Sequence, residues 1–304
     1  MKTNNRPRPD VYKMVTERII SALEKGVVPW QQPWRNSGLP QNLITGKVYR
    51  GINLWLLLSL GYSRNFFLSE KQLEAIGGKV KEGEKANIIV FWKQITIDDP
   101  DTTETKDYPF LRYYRVFNVE QCEGIPEDKL SKVDETIHND IVSCEDVYEQ
   151  MPKKPKLQHK GDKAFYNPLL DFINMPAKTQ FPKIEDYYSV LFHELIHSTG
   201  HLSRLNRKEL LNMSEFGSEP YSIEELVAEI GCCFLKTVVG IGNNDLENNT
   251  AYIDGWLKSL KNDHKFIVFA SSQAQKATDY ILNTCIQKED ESITETDGGN
   301  DSTF

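Results

Sequence analysis

Phe192-His193-Glu194-Leu195-Ile196-His197-Ser198-Thr199-Gly200-His201 is the stretch from which the second half of the chain can be read. Val190, Leu191 and Phe192 support a helix, and in a helix residues four apart lie on one face. His193 and His197 are therefore close enough to share a metal ion at about 2.0–2.1 Å each, with Glu194 beside them to work on a bound water. With only 6 His in 304 residues, this His-Glu-x-x-His spacing arises by accident in roughly 0.01 chains of such composition.

A catalytic zinc site takes three protein ligands and keeps a fourth position open. A third His six residues after the second is one known solution, but that position is Ser203, although Gly200 matches the glycine of that pattern. His201 continues the four-residue spacing, yet Gly200 is expected to break the helix before it. That leaves His201 as a ligand, an oxyanion donor or a residue of the cleft. Ser222-Ile223-Glu224-Glu225-Leu226-Val227-Ala228-Glu229 opens a second helix, on which Glu225 and Glu229 share a face. One can bind the ion while the other accepts a hydrogen bond from a ligand histidine and fixes its tautomer. Two alternatives stay open. Ser222 and Glu225 also fit a capping box, which would spend that carboxylate on the helix end, and Glu224 is the remaining ligand candidate.

The expected cofactor is Zn2+, with Mn2+ as the alternative, because such a donor set accepts either. An ion held this way lowers the pKa of its water from 15.7 towards about 7, Glu194 takes the proton, and the same carboxylate then protonates the leaving amine. This is peptide-bond hydrolysis. Help at the oxyanion is expected from His201, Tyr187 or Tyr188. Ile173 and Met175, ahead of Pro176, are expected to form an edge strand that aligns an extended substrate.

Around this centre the pattern predicts helices at 184–199, 223–239, 250–260 and 271–287. Nearer the N-terminus, Asp10 precedes apolar Val11, Val15, Ile19 and Leu23 and the run stops at Lys25-Gly26, an N-capped amphipathic helix. A buried helix follows at 52–60, and Ser69 with Gln72 caps a short one ending at Gly77-Gly78. Stretches 86–97 and 110–119 read as strands, joined by an acidic hairpin loop at 98–107. A polar stretch with one helix at 133–151 precedes the basic segment PKKPKLQHKGDK. The predicted fold class is α+β with two domains: a small α+β unit at 1–125, a linker at 126–162, a helix-rich unit at 163–288, and a disordered acidic tail at 289–304.

The net charge of −8 hides a split. Residues 1–97 hold 15 Lys or Arg against 7 Asp or Glu, while the rest holds 21 against 37. The basic part is also aromatic: Trp30, Trp34, Arg35, Lys47, Tyr49, Arg50 and Asn53 are followed by Lys79, Lys81, Lys85, Phe91 and Trp92. Flat side chains that stack on unpaired bases, interleaved with cations, are what single-stranded nucleic acid requires. The opposing reading makes these aromatics core residues and the lysines a solvated face. No apolar run is long enough to span a bilayer, and the five cysteines contain no Cys-x-x-Cys pair, so a cytoplasmic protein with packing thiols and no membrane partner is expected.

GVVPWQQPWRNSGLPQNLITGKVYRGIN, LSEKQLEAIGGKVKEGEKANIIVFWK and VFNVEQCEG together closely resemble the N-terminal single-stranded-DNA-binding domain of ArdC-type antirestriction proteins. FHELIHSTGHLSRLNR and YSIEELVAEIGCCFL resemble the zincin-like metallopeptidase domain of the same family. The resemblance implies a mobile-element protein that binds single-stranded DNA during conjugative entry and counteracts host restriction. It implies His193, His197 and Glu225 as ligands, Glu194 as the catalytic group, and a protein or peptide substrate that is not identified. The acidic insertion at 98–107 departs from the family only locally. Two rival functions are weighed beside it: a non-catalytic coat for single-stranded DNA with a structural metal, and a regulatory metalloprotease that cleaves a repressor or host factor.

Overall fold

The structure of the protein, a computed structural model, describes residues 10–25, 28–29, 39–98, 105–126, 128–129, 144–208, 219–241 and 250–284. Asp10 accepts the Lys13 N–H at 3.1 Å and starts α1 (Val11–Glu24), which buries Val15, Ile19 and Leu23 along one stripe. After β1 (Gln41–Asn42) comes α2 (Ile52–Leu58), buried at every position, as an all-apolar helix must be. β2 (Phe66–Leu68) leads to α3 (Glu70–Ala75), opened by the expected Ser69–Gln72 capping box. β3 (Lys79–Val80) and β6 (Cys122–Glu123) form a small antiparallel pair. The main sheet has the order β1-β2-β5-β4, with β4 (Asn87–Asp98) and β5 (Thr105–Asn118) antiparallel. Their ladder runs on to Asp98↔Thr105, so the acidic loop is shorter than 98–107. β-branched Ile95, Thr96 and Ile97 favour carrying the pairing outward.

The stretch expected as a linker holds α4 (Cys144–Glu149) and β7 (Lys156–His159), and Val147 and Met151 in it are buried. Residues 130–143, the earlier part of the helix expected at 133–151, lie outside the described residues, as does the tail at 289–304. β7 pairs in parallel with β9 (Phe172–Met175), whose other side pairs with β8 (Phe165–Asn167). Ile173 and Met175 thus lie on the central strand of three, which corrects the expected edge strand. Both are fully buried, and the ladder on each side is taken.

Among the described residues four helices follow: α5 (Ile184–Thr199), α6 (Glu219–Val238), α7 (Thr250–Asn262) and α8 (Phe266–Ile281). α8 begins at Phe266 rather than 271 because Phe266, Ile267 and Val268 are buried helix residues, and it stops at Ile281, just ahead of Asn283 at φ 51°. One apolar cluster joins α1 and α2 to α5, α6 and α8. Trp55 of α2 packs against Phe234 of α6 at 4.8 Å between ring centroids, and the Thr16 hydroxyl donates to the His264 carbonyl at 2.6 Å. Cys122, Cys144, Cys232 and Cys233 are free thiols, and Cys285 lies outside the described residues. Burial pushes the Cys122 thiol up to about 11 and that of Cys232 to about 12, as fits packing residues. Among the described residues no helix is long and apolar enough to cross a membrane.

α5 and α6 pack tightly at Gly231, where an added Cβ would lie 2.6, 2.9 and 3.1 Å from three side-chain carbons of Ile196. Gly231→Val should therefore destabilise the chain by about 1–3 kcal/mol through overpacking. In thermal unfolding, the Gly231→Val/Ile196→Ala double variant should lose less than the sum of the two single losses.

Candidate metal centre

α5 turns His193 and His197 to one side, and α6 brings Glu225 against them. His193 Nε2 and His197 Nε2 are 3.0 Å apart, and the Glu225 oxygens lie 3.6 Å from the first and 3.5 Å from the second. A tetrahedral ion with bonds of 2.0–2.1 Å keeps its ligand atoms about 3.3 Å apart, close to the 3.0 Å between the nitrogens and the 3.5–3.6 Å from each to one of the two Glu225 oxygens. Two imidazoles and a carboxylate also match the donor set of three-ligand catalytic sites. The residues present therefore fit a divalent ion. α6 begins at Glu219, which puts Ser222 and Glu225 inside the helix and removes the capping-box alternative for Glu225.

The carboxylates behind the ligands divide the work differently from the sequence reading. Glu224, fully buried, faces His197 Nδ1 at 3.2 Å and takes Nε and Nη2 of Arg207 at 2.9 and 2.5 Å. It stands where a group that orients His197 would stand, and it is not among the three residues whose ligand atoms converge. Burial opposes its charge, but Arg207, with a smaller contribution from His197, outweighs burial and holds its carboxyl below the usual range. Glu229 sits 3.7 Å from His193 Nδ1 and occupies the equivalent place behind the other histidine. Burial raises its pKa, and its Oε2 has no hydrogen-bond partner among the described residues. Burial would also lower the pKa of His193, but Glu225, Glu229 and Glu194 together push it up to about 9. The pocket attracts positive charge.

Glu194 is half-buried on α5 and contributes to that field at His193. His201 lies past the helix end in a turn, its Nδ1 bonded to the Ser203 hydroxyl at 2.8 Å, and it is not among the convergent ligand atoms. Tyr188 faces elsewhere: its hydroxyl meets Glu145 and accepts from Lys178 Nζ at 2.9 Å. Nine residues separate it from His197, which at about 100° per residue is the opposite side of the helix. Tyr187 likewise bonds His159 Nε2 at 2.9 Å. The sequence reading missed Arg207, although the residue stands at the end of the quoted HLSRLNR run. The one signal in the sequence is an arginine ten residues past a ligand histidine; that it is only 4% exposed is visible in the fold alone.

Of the nucleic-acid candidates, Trp30, Trp34 and Arg35 lie outside the described residues. Tyr49 and Asn53 turn out to be core groups. Tyr49 is buried, which pushes its phenol up to about 12, and the Asn53 amide exchanges two 2.7 Å hydrogen bonds with the backbone of Val90. Lys47 and Lys85 are exposed; Lys79 pairs with Glu123 at 3.0 Å, and Lys81 Nζ donates to the Glu120 carbonyl at 2.8 Å. Arg50 pairs with Asp279, and Trp92 stays 47% exposed, edge-on to Tyr12 at 5.9 Å.

Residues 9–117 match the family model for the N-terminal domain of anti-restriction factor ArdC, and residues 148–273 match that for a zincin-like metallopeptidase. The metal-free crystal structure of antirestriction ArdC from plasmid R388 is 33% identical and covers 94% of this chain and 99% of its own, with a TM-score of 0.75. The chain belongs to the ArdC antirestriction family. The Mn(II)-bound structure of R388 ArdC gives a TM-score of 0.74 over 90% of this chain and 98% of that one, again at 33% identity. A DNA primase TraC of Escherichia coli is 35% identical over 300 residues, which are 92% of this chain but only 20% of the primase. The uncharacterized protein y4eC of Sinorhizobium fredii is 30% identical over 92% of this chain and 95% of its own. The chain thus spans about a fifth of the primase and nearly all of y4eC. As in its family, the chain has an α+β architecture of two parts, the second zincin-like, and that part implies a metal.

Arg207→Met would leave Glu224 buried without its cation, and should cost about 3–5 kcal/mol in denaturant unfolding. Glu224→Gln keeps the shape and should weaken metal binding by about 10–100-fold in calorimetric titration. Because the folded-state pKa of Glu224 is depressed, its contribution is complete above the ordinary Glu value of about 4.3 and is lost as pH falls from there through the lower folded-state value.

Proposed function

We propose that this chain is an antirestriction protein of a mobile element that binds single-stranded DNA with its basic N-terminal part and hydrolyses a peptide bond at the His193–His197–Glu225 centre. The observation that carries the reading is the convergence of these three ligand atoms, each histidine backed by a carboxylate, beside Glu194. Kinship with R388 ArdC supports the antirestriction role, and the Mn(II) in that structure keeps both zinc and manganese in view.

A divalent ion held there supplies Lewis-acid polarisation of the scissile carbonyl and makes a water nucleophilic at neutral pH. The chain's residues do the rest. His193 and His197 offer Nε2, and Glu224 holds His197 in the tautomer that leaves Nε2 free. The Glu194 carboxylate accepts the proton of the attacking water and delivers it to the leaving nitrogen. Buried Leu195 and Ile196 anchor that turn of α5 in the core, so these groups keep their positions.

Glu194→Ala should retain metal and DNA binding and lose antirestriction in a conjugation assay that counts restricted transfers. Unchanged protection would sink the requirement for hydrolysis and favour a coat protein with a structural metal. Restored repressor or host-factor abundance in cells carrying the variant would favour the regulatory protease. The full chain should bind single strands more tightly than duplex, with log K falling against log salt by about 0.7 for each phosphate neutralised. Salt-independent binding measured by fluorescence anisotropy would contradict the reading.

A further inference from the structure

A cavity of about 220 Å³ lies where α2 and the β4–β5 ladder meet α8. Its buried wall is apolar, with Val90 and Leu111 from the sheet and Val268 from α8. Trp92 lines it with an indole 47% exposed, a cost that a core role does not explain. The space is smaller than the roughly 300–1,000 Å³ of pockets that enclose drug-sized ligands, and suits one planar ring system.

Two cations border it. Arg50 spends Nη2 on Asp279, while its Nε and Nη1 have no acceptor among the described residues. Lys276, exposed on α8, has no carboxylate partner among them either. The one acid of the cavity, Asp279, is answered inside the protein by Arg50 and by Gln275 Nε2 at 3.2 Å. An apolar slot, an exposed indole and two cations with donors to spare form a recognition set for a planar base attached to a phosphate.

We propose that this cleft holds one unpaired nucleotide of single-stranded DNA, its base against Trp92 and its phosphate at Arg50 and Lys276. The strand then passes from the N-terminal sheet onto α8, the helix that also packs on α5 and α6, which carry the metal ligands. The proposal rests on the single-strand-binding reading above, and adds that residues of the zincin-like part belong to the DNA site.

The test is fluorescence anisotropy of a labelled oligothymidylate with the full chain and with Trp92→Ala, Trp92→Phe, Lys276→Gln and the cleft-filling Ser272→Phe, each checked for an unchanged melting temperature. Trp92→Ala is expected to weaken binding by about 5-fold or more, with Trp92→Phe restoring most of it. Lys276→Gln should weaken binding and lower the salt slope by about 0.7, and Ser272→Phe should weaken binding without changing that slope. Wild-type binding that none of these variants alters overturns the cleft and leaves single-strand binding intact. No binding by the wild-type chain overturns both. Free dTMP that binds as tightly as the oligonucleotide makes the cleft a mononucleotide site and overturns the DNA assignment.

Discussion

Arg207 and Glu224 form an ion pair with almost no exposure to water, and the metal centre hangs on it. Burying two charges costs several kcal/mol per ion, and the cost is met only when their hydrogen-bonding capacity is filled. Here it is. Arg207 reaches both oxygens of Glu224, the Thr199 hydroxyl at 2.5 Å and the Ile196 carbonyl at 2.8 Å, while Glu224 also takes His197. The same guanidinium satisfies a carbonyl in the last turn of α5, where helical partners run out and positive charge is favoured. One residue thus joins the end of the helix bearing both histidines to the start of the helix bearing Glu225.

Packing supplies the tolerance that this electrostatic tie requires. Gly231 lets α6 settle onto Ile196, and a side chain there would force Ile196 or the helix pair that carries the ligand atoms to shift. α6 is buried for most of its length yet carries Glu225, Glu229 and Lys236, positions that repeat on one side of a helix with 3.6 residues per turn. Lys236 is 2% exposed, and its charge acts on Glu229, opposing the burial that raises the Glu229 pKa. The acidic cluster that attracts a cation is thereby held inside a hydrophobic helix pair at reduced cost.

The parts legible in the sequence are those governed by local spacing. The i, i+4 histidines, the Asp10 cap and the Ser69–Gln72 box need only helix geometry, and α5 falls where the pattern put it. Glu225 was reachable as an acid on the next helix, but the division of labour between Glu224 and Glu229 was not. It is set by Arg207, seventeen positions before Glu224 and met only after the chain folds back. The central place of β9 was hidden for a related reason: its parallel partner β7 comes from a lysine-rich stretch that looked like a linker. Tyr49 and Asn53 sit in an aromatic, basic segment whose composition could not separate side chains facing the core from those facing a ligand.

The charge split between the two parts does not make them independent modules. Side chains of α1 and α2 enter the same apolar cluster as α5, α6 and α8, and separating them would expose Trp55 and Phe234 together. Relative motion is the default for domains with small polar interfaces, and this interface is of the other kind. Arg50 and Asp279 add an ion pair across it, and Gly51 adds a 3.0 Å hydrogen bond to Gln275. A ligand bound on the N-terminal side therefore meets a surface already registered against α8. Any influence it has on the metal helices passes through a packed core with fixed partners, not through a swinging linker.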